Sequence, residues 1–300
     1  MGGQALNPAA GFGRSLRSGM HAATHPADVR AVAVEAAWAA AHLATYPLGV
    51  ARERVRPHPD RYSLDGLPPV QRGLLLGDVT AAGTPILLVH GVLDNRSVFA
   101  LLRRTLTRRG FGRVRTVNYP IYTRDVRWAA ARLALDVERL TEESGYERVH
   151  LVGHSLGGII ARYYVQRLGG DSQVHTVVTL GAPHGGTRLA RVVPGGVLRQ
   201  LRPESGLVAE LAEPAPGCRS RFVAFWSDRD EMVIPQTSAR IDHPDLSATN
   251  ILVPGVRHLT MPIHGEVARG VCNALARLEP DGTAAATEPG SAPAALPTSS

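Results

Sequence analysis

Apolar runs alternate with stretches of helical periodicity through the middle of the chain. The run at residues 86–89 is continuously apolar, which is typical of a strand covered on both faces. Residues 125–143 repeat apolar positions at helical spacing, through Val126, Ala130 and Leu133. The pattern predicts strands at 86–89, 114–119, 174–180, 221–226 and 250–253, and helices at 97–109, 125–143 and 262–278. Strands that alternate with helices favour one α/β domain with a parallel sheet.

Composition divides the chain around this domain. We expect a flexible segment at residues 1–30, a helical or linker region at 31–72, the α/β domain at 73–278 and a disordered tail at 279–300. The tail is rich in Ala, Pro, Thr and Ser, which cannot bury enough apolar surface to fold. Within the domain, residues 184–216 combine Pro and Gly with scattered apolar residues, and we expect a short insertion that caps the sheet.

Residues 31–50 have the length of a membrane span but not its composition. Glu35 and His42 interrupt the apolar stretch, and Pro47 and Gly49 end it. We favour an amphipathic or buried helix here and leave peripheral contact with a membrane open. The preceding region is too long for a signal peptide and includes Asp28, so we expect a cytoplasmic or membrane-associated protein.

Charge and cysteine content exclude several classes of function. The net charge is +7 and every one of the 33 basic residues is arginine, but these are spread along the whole chain. Since no basic surface with interleaved aromatic residues is evident, we do not expect nucleic-acid binding. Cys218 and Cys272 are too few and too far apart for a metal cluster, and their redox state is open. We therefore expect no metal and no cofactor.

The sequence Gly153-His154-Ser155-Leu156-Gly157 carries the strongest chemical signal. It is a G-x-S-x-G pattern between a predicted strand and a predicted helix that runs to residue 167, which is the context that this pattern requires. The glycines leave room where the strand turns directly into the helix. The turn presents the Ser155 hydroxyl at the carboxyl end of the sheet. Ser155 is therefore the predicted nucleophile.

A serine nucleophile needs a base, and the base needs a carboxylate that orients it. His258 follows a late strand across a short loop, which favours it over His264 and over a purely structural histidine. Asp230 falls on the turn after the strand at 221–226 and is the predicted acid. Asp228 is the alternative, with a turn-capping role if it is not catalytic, and Glu231, the third carboxylate of this turn, is expected to face solvent.

Backbone N–H groups should stabilise the oxyanion of the intermediate. We expect one from Leu156, directly after the nucleophile, and one from Val92, in the loop that Gly91 allows after the first buried strand. His90 ends that strand and is expected to brace the loop. The remaining residues predicted to support or line the pocket are His154, Gly153, Gly157 and His184.

Five motifs in register resemble the α/β-hydrolase superfamily, and most closely its bacterial class 2 lipases and triacylglycerol lipase-like esterases. They are VHGVLDN, GHSLGG, LGAPHGGT, SDRDEMVIP and VPGVRHLTMP, between residues 85 and 278. The resemblance implies a single α/β-hydrolase domain with a mostly parallel central sheet, helices on both faces and a short cap or lid insertion. It also implies a catalytic triad of Ser155, Asp230 and His258.

The implied activity is hydrolysis of acyl esters, with a lipid-like substrate and an acyl-enzyme intermediate. Acyl transfer or thioester hydrolysis by the same triad remains an alternative, because the acceptor depends on pocket shape and water access. A non-catalytic, membrane-associated binding protein on a hydrolase fold is a further alternative, disfavoured because no member of the triad is missing.

Overall fold

The computed structural model describes residues 82–92, 96–117, 119, 123, 125–192 and 196–276. All of them lie in one compact unit that spans Tyr46–Ser300. The predicted segments at 1–30, 31–72 and 279–300 lie outside the described residues. No helix in the part that the structure describes is long and apolar enough to cross a membrane.

Six strands form one sheet in the order β2-β1-β3-β4-β5-β6, with every pair parallel. The strands are β1 Ile86–Val89, β2 Val114–Val117, β3 Val149–His154, β4 Val174–Leu180, β5 Arg221–Trp226 and β6 Ser247–Leu252. The α-helices are α1 Ala100–Arg108, α2 Val126–Ser144, α3 Leu156–Arg167, α4 Gly206–Ala212 and α5 Gly265–Leu275. The 3-10 helices are Arg96–Phe99, Gly170–Ser172, Arg188–Arg191, Gly196–Leu201, Gln236–Ala239 and Met261–Ile263. Because the strands are parallel, their carboxyl ends meet at one edge, where the loops that carry the site residues begin.

Helices cover both faces of the sheet, as the sequence predicts. Side chains of a strand alternate between the two faces. Leu87 of β1 packs into a core shared with α2 and α3, whereas Leu88 packs into a second core shared with α1 and α5. Burial on both faces explains why the strand at Ile86–Val89 is a continuous apolar run.

The longest helix, α2, is defined by local signals at both ends. The Asp125 carboxylate accepts a hydrogen bond from the backbone N–H of Arg127 (2.7 Å) and caps the amino end. Gly145 ends the helix with φ of 74°, a left-handed conformation that glycine adopts without strain. These caps keep the helix within one residue of the predicted range at each end.

Several element bounds differ from the sequence prediction. The helices predicted at 97–109 and 262–278 become α-helical only at Ala100 and Gly265, each after a 3-10 helix, and the strand predicted at 114–119 ends at Val117. Strand β6 begins at Ser247 rather than at residue 250, because it lies at the edge of the described sheet and its first residues are polar and partly exposed. The 184–216 insertion, described apart from 193–195, contains α4 and two 3-10 helices that the sequence pattern did not indicate. Short helices of this kind leave little periodicity in a sequence.

A buried polar cluster lies at the amino end of the sheet, away from the strand ends that carry the motifs. His150 of β3 has no exposed surface, and its ring lies 5.8 Å from the ring of His175. Burial, followed by the charges of His175, Arg221 and Arg148, holds the pKa of His150 well below its ordinary value. His150 is therefore neutral in the folded protein at neutral pH.

Both cysteines are free thiols. Cys272 is buried in α5 and Cys218 is partly buried before β5. Burial raises the pKa of each thiol, which lowers its reactivity.

Candidate active site

Ser155 lies in a strained turn between β3 and α3. Its φ of 53° and ψ of −122° make it the one non-glycine residue with positive φ in the described part of the chain. Its backbone N–H donates to the Leu180 carbonyl oxygen (2.9 Å) at the end of β4. A non-glycine residue in this region costs about 1–3 kcal/mol and persists where the surroundings enforce it, most often at functional sites.

Gly153 and Gly157 allow the start of α3 to pack directly against the ends of β3 and β1. A Cβ atom on Gly153 would lie 2.5 Å from the backbone of Gly158, and one on Gly157 would lie 2.1 Å from the carbonyl oxygen of Val89. The sequence argument for Gly153 is therefore the right one. Gly157 is required for a different reason, because it faces the end of β1 rather than the preceding strand.

Asp230 and His258 form a buried pair at the carboxyl edge of the sheet. The Nδ1 atom of His258 lies 2.8 Å from Oδ2 of Asp230, and their side chains are 4% and 1% exposed. The other carboxylate oxygen accepts hydrogen bonds from the backbone N–H groups of Met232 and Val233, both at 2.9 Å. Two backbone donors and one imidazole therefore fix the orientation of the carboxylate.

Two residues that flank Ser155 lie close to His258: His154 at the end of β3, and Gly181 after the neighbouring strand β4. The Nε2–H of His154 donates to the His258 carbonyl oxygen (3.1 Å), and the two ring centroids are 4.9 Å apart. A Cβ atom on Gly181, the residue after β4, would lie 3.2 Å from Nδ1 of His258 and 2.9 Å from Oδ2 of Asp230. Glycine at 181 thus leaves the space that the imidazole and carboxylate occupy, a requirement that the sequence analysis missed.

The alternatives to Asp230 as the acid and to His258 as the base lie outside this buried pair. Asp228 is exposed, and its carboxylate accepts a hydrogen bond from the Gly255 N–H (2.8 Å), which fixes the loop before His258. Glu231 is exposed. His264 is partly buried at the start of α5. Of the three carboxylates after β5, the one that hydrogen-bonds to a histidine in the described part of the chain is Asp230.

The loop after β1 meets the amino end of α3. Leu156 is the first residue of α3, so its N–H has no acceptor within the helix. Val92 lies two residues beyond the buried His90 and is partly buried against the core. The Nδ1–H of His90 donates to the Gly91 carbonyl oxygen (2.9 Å), which fixes the turn.

Tyr119, two residues after the end of β2, supports this loop. Its ring stacks on the His90 ring with centroids 4.2 Å apart, and its hydroxyl donates to the His90 carbonyl oxygen (2.6 Å). The sequence analysis did not single out Tyr119, since a lone tyrosine after a strand belongs to no motif.

His184 lies in the loop after β4 and is buried. It forms a hydrogen bond with the Thr179 hydroxyl (3.0 Å). Burial, with the charge of Arg162 adding to it, holds the pKa of His184 well below its ordinary value. The side chain is therefore neutral and supports the loop from within.

We looked for a metal site and for a cavity among the described residues around the predicted triad. In the described part of the chain, no group of three His, Cys, Asp or Glu side chains could hold a metal ion. A cavity of about 340 Å³ lies between β1, β2 and α2, and no residue of the predicted triad lines it. Its lining residues are Val89, Val117, Tyr119, Trp128, Ala129, Arg132, Leu133, Asp136 and Ile160.

Residues 84–204 match a family model described as the alpha/beta hydrolase fold. The sheet order, the parallel strands and the turn at Ser155 agree with that match. The chain has an α/β-hydrolase fold. The resemblance to this superfamily expected from the five motifs is confirmed at the level of the fold.

Solved structures with the same α/β-hydrolase fold include several lipases. The mature form of Bacillus licheniformis lipase BlEst2 has a TM-score of 0.55 and 18% identity, over 65% of this chain and 92% of that one. A Paleococcus ferrophilus monoacylglycerol lipase has a TM-score of 0.50 and 18% identity, over 65% and 96%. Aspergillus fumigatus lipase B has a TM-score of 0.57 and 16% identity, over 65% and 52%. At these identities the likeness concerns the fold.

Proposed function

We propose that this α/β hydrolase is a serine carboxylic-ester hydrolase that cleaves acyl esters through Ser155, His258 and Asp230. One observation carries the proposal. The strained turn at Ser155 is flanked by His154, which donates to the backbone of His258, and by Gly181, where a Cβ atom would crowd the buried pair of His258 and Asp230.

The chemistry follows from the tautomer of His258. The hydrogen bond to Asp230 assigns the imidazole proton to Nδ1, which leaves the lone pair on Nε2 as the general base. The base removes the hydroxyl proton of Ser155 as its oxygen attacks the ester carbonyl. The same imidazole, now protonated, gives that proton to the leaving alcohol. Water then hydrolyses the acyl-enzyme by the same route, which restores the serine.

The developing oxyanion needs two donors. We assign them to the N–H groups of Leu156, at the positive amino end of α3, and Val92, in the loop that His90 and Tyr119 support. Each such donor contributes about 3–4 kcal/mol to lowering the barrier in comparable sites. The lipase activities in the names of the fold neighbours support acyl esters as the substrate class.

Hydrolysis of p-nitrophenyl esters of increasing chain length tests the proposal. We expect turnover by the unaltered protein and a loss of about 10⁶-fold in kcat for Ser155→Ala. A fluorophosphonate probe should label the unaltered protein and not the variant. Turnover that survives Ser155→Ala, or an unaltered protein that neither turns over nor labels, would refute the assignment.

A further inference from the structure

The 184–216 insertion is attached to the hydrolase domain at its beginning, its middle and its end. At the beginning, the Thr187 hydroxyl donates to the Met232 carbonyl oxygen (2.8 Å) and accepts from the Ile234 N–H (3.0 Å). The Gly185 N–H donates to the Ser238 carbonyl oxygen (2.9 Å). The insertion therefore starts as a partner of the loop that follows Asp230.

In the middle, Gln200 binds the amino end of α2. Its side-chain oxygen Oε1 accepts a hydrogen bond from the Val126 N–H (2.8 Å), and its side-chain NH₂ group donates to the Asp125 carboxylate (3.1 Å). The first N–H groups of a helix have no partner within it, so Gln200 satisfies a donor that would otherwise need water. Separating the insertion from α2 would break both bonds.

At the end, α4 is held by side chains of α2 and α3. Glu210 accepts from two nitrogen atoms of Arg127 and from the Tyr163 hydroxyl (2.9 Å). These contacts lower the pKa of the Glu210 carboxyl, the hydrogen bond from Arg127 being the largest cause, so the ion pair is present at neutral pH. Arg162 and Gln166 both donate to the Leu211 carbonyl oxygen, at 2.8 and 3.0 Å.

The apolar side chains of the insertion point into the same core. Val197, Leu201, Leu207 and Leu211 are each at most 5% exposed and belong to the cluster formed with α2 and α3. Among the large apolar residues of the insertion that the structure describes, Val192 alone is strongly exposed. An opening lid must keep an apolar face that it can release, and here that face is part of the domain core.

We propose that the insertion is a fixed wall of the site rather than an opening lid, and that the substrates are dissolved, monomeric acyl esters rather than esters in an oil–water interface. This inference rests on the proposed ester hydrolysis. Because the described parts of the insertion, residues 184–192 and 196–216, do not move, they offer a lipid surface no closed state to open, and the surface cannot increase the activity through them.

The kinetic test measures hydrolysis of tributyrin below and above its solubility limit. We expect the velocity to follow a hyperbola through that limit without a step. A velocity that rises abruptly when droplets form would overturn the inference. Absence of turnover at every concentration would instead count against ester hydrolysis itself.

A second readout does not depend on catalysis. The insertion contains exposed arginines, including Arg191 and Arg199, and trypsin cleaves after arginine where the chain opens. We expect the same slow cleavage with and without an emulsion of a non-hydrolysable glycerol triether. Faster cleavage in the emulsion would show an opening lid and refute the fixed wall, whether or not the protein hydrolyses esters.

Variants of Glu210 and Glu204 complete the design. Glu210→Gln should accelerate tryptic cleavage of the insertion roughly tenfold, since cleavage follows the opening equilibrium. Glu210→Ala should accelerate it further. Glu204→Gln is the matched control, because its ion pair with Arg191 lies on the exposed side of the same insertion, and cleavage after Arg199, which this pair does not involve, should be unchanged. Equal effects at the two sites would contradict the role of the α4 contacts.

Discussion

Replacing Asp230 by asparagine should leave the protein folded and almost inactive. The carboxylate has one oxygen for the backbone N–H groups of Met232 and Val233 and the other for Nδ1 of His258. The amide oxygen of asparagine can retain the two backbone bonds. Its NH₂ group then faces the imidazole and favours the tautomer with the proton on Nε2, which cannot act as the base.

The expected loss is about 10⁴-fold in kcat, by analogy with the same change in a serine protease triad, which corresponds to about 5 kcal/mol of barrier. The free energy of unfolding should change much less. Asp230→Ala provides the contrast, because it leaves two backbone N–H groups and the imidazole without their acceptor, at about 1–3 kcal/mol each. Only the alanine variant should therefore be strongly destabilised in urea.

Asp228→Asn is the matched control for the assay with p-nitrophenyl butyrate. Its carboxylate is exposed and accepts from the Gly255 N–H and, at 3.5 Å, from the Ser227 hydroxyl, and the amide oxygen of asparagine can accept both bonds. We expect nearly unchanged kcat. If Asp228→Asn loses the activity and Asp230→Asn keeps it, the assignment of the acid is wrong.

Three further predictions follow from packing and protonation. Gly157→Ala places a Cβ atom 2.1 Å from the Val89 carbonyl oxygen, so the loop after β1 must move and kcat should fall by about 10²–10³-fold. Gly265→Ala, whose nearest contact is 3.7 Å away, should leave the same assay unchanged. The depressed pKa of His150 means that the unfolded chain binds the proton more tightly. Denaturant titrations should therefore show a contribution from His150 that is complete above pH 6.5 and falls by about 1.4 kcal/mol per pH unit below it, in addition to that of the likewise depressed His184, and His150→Leu should remove the His150 share. Cys218 and Cys272 should both react with a thiol reagent after unfolding without reductant, and fewer than two thiols would contradict their free state.

The fold could be predicted where burial on both faces makes the pattern simple. Strands β1, β4 and β5 have the bounds that the sequence predicts, because the interior of a parallel sheet demands apolar residues over the whole strand. The edge strand β6 was predicted to begin too late because Ser247 and Thr249 are polar and partly or fully exposed, so no apolar run marks its start. The helices of the insertion were not predicted, since their position depends on contacts such as that between Gln200 and Asp125, far apart in sequence.

In the site, too, residues whose role depends on their sequence neighbours could be predicted, and residues whose role depends on contacts distant in sequence could not. Ser155 could be found from five consecutive residues, because the strained turn and its glycines are a local requirement. Asp228 and Asp230 could be ranked but not separated, since both follow β5 and only the three-dimensional direction of each carboxylate distinguishes them. Gly181 could not be recognised at all, because its requirement comes from side chains of two later loops.

The parallel sheet also indicates where the chain tolerates engineering. Turns that precede the strands contain Gly145, Gly169 and Gly217, and the space around each is open, because an added Cβ would meet no atom within 4 Å. Their positive φ would strain other residues, so changes belong beside these glycines rather than at them. Affinity tags, surface-attachment groups or inserted domains can be introduced there, at the side of the sheet opposite the loops after β1, β3 and β5. Libraries that aim to change the accepted ester should instead vary those loops, so that scaffold and selectivity are altered by separate sets of mutations.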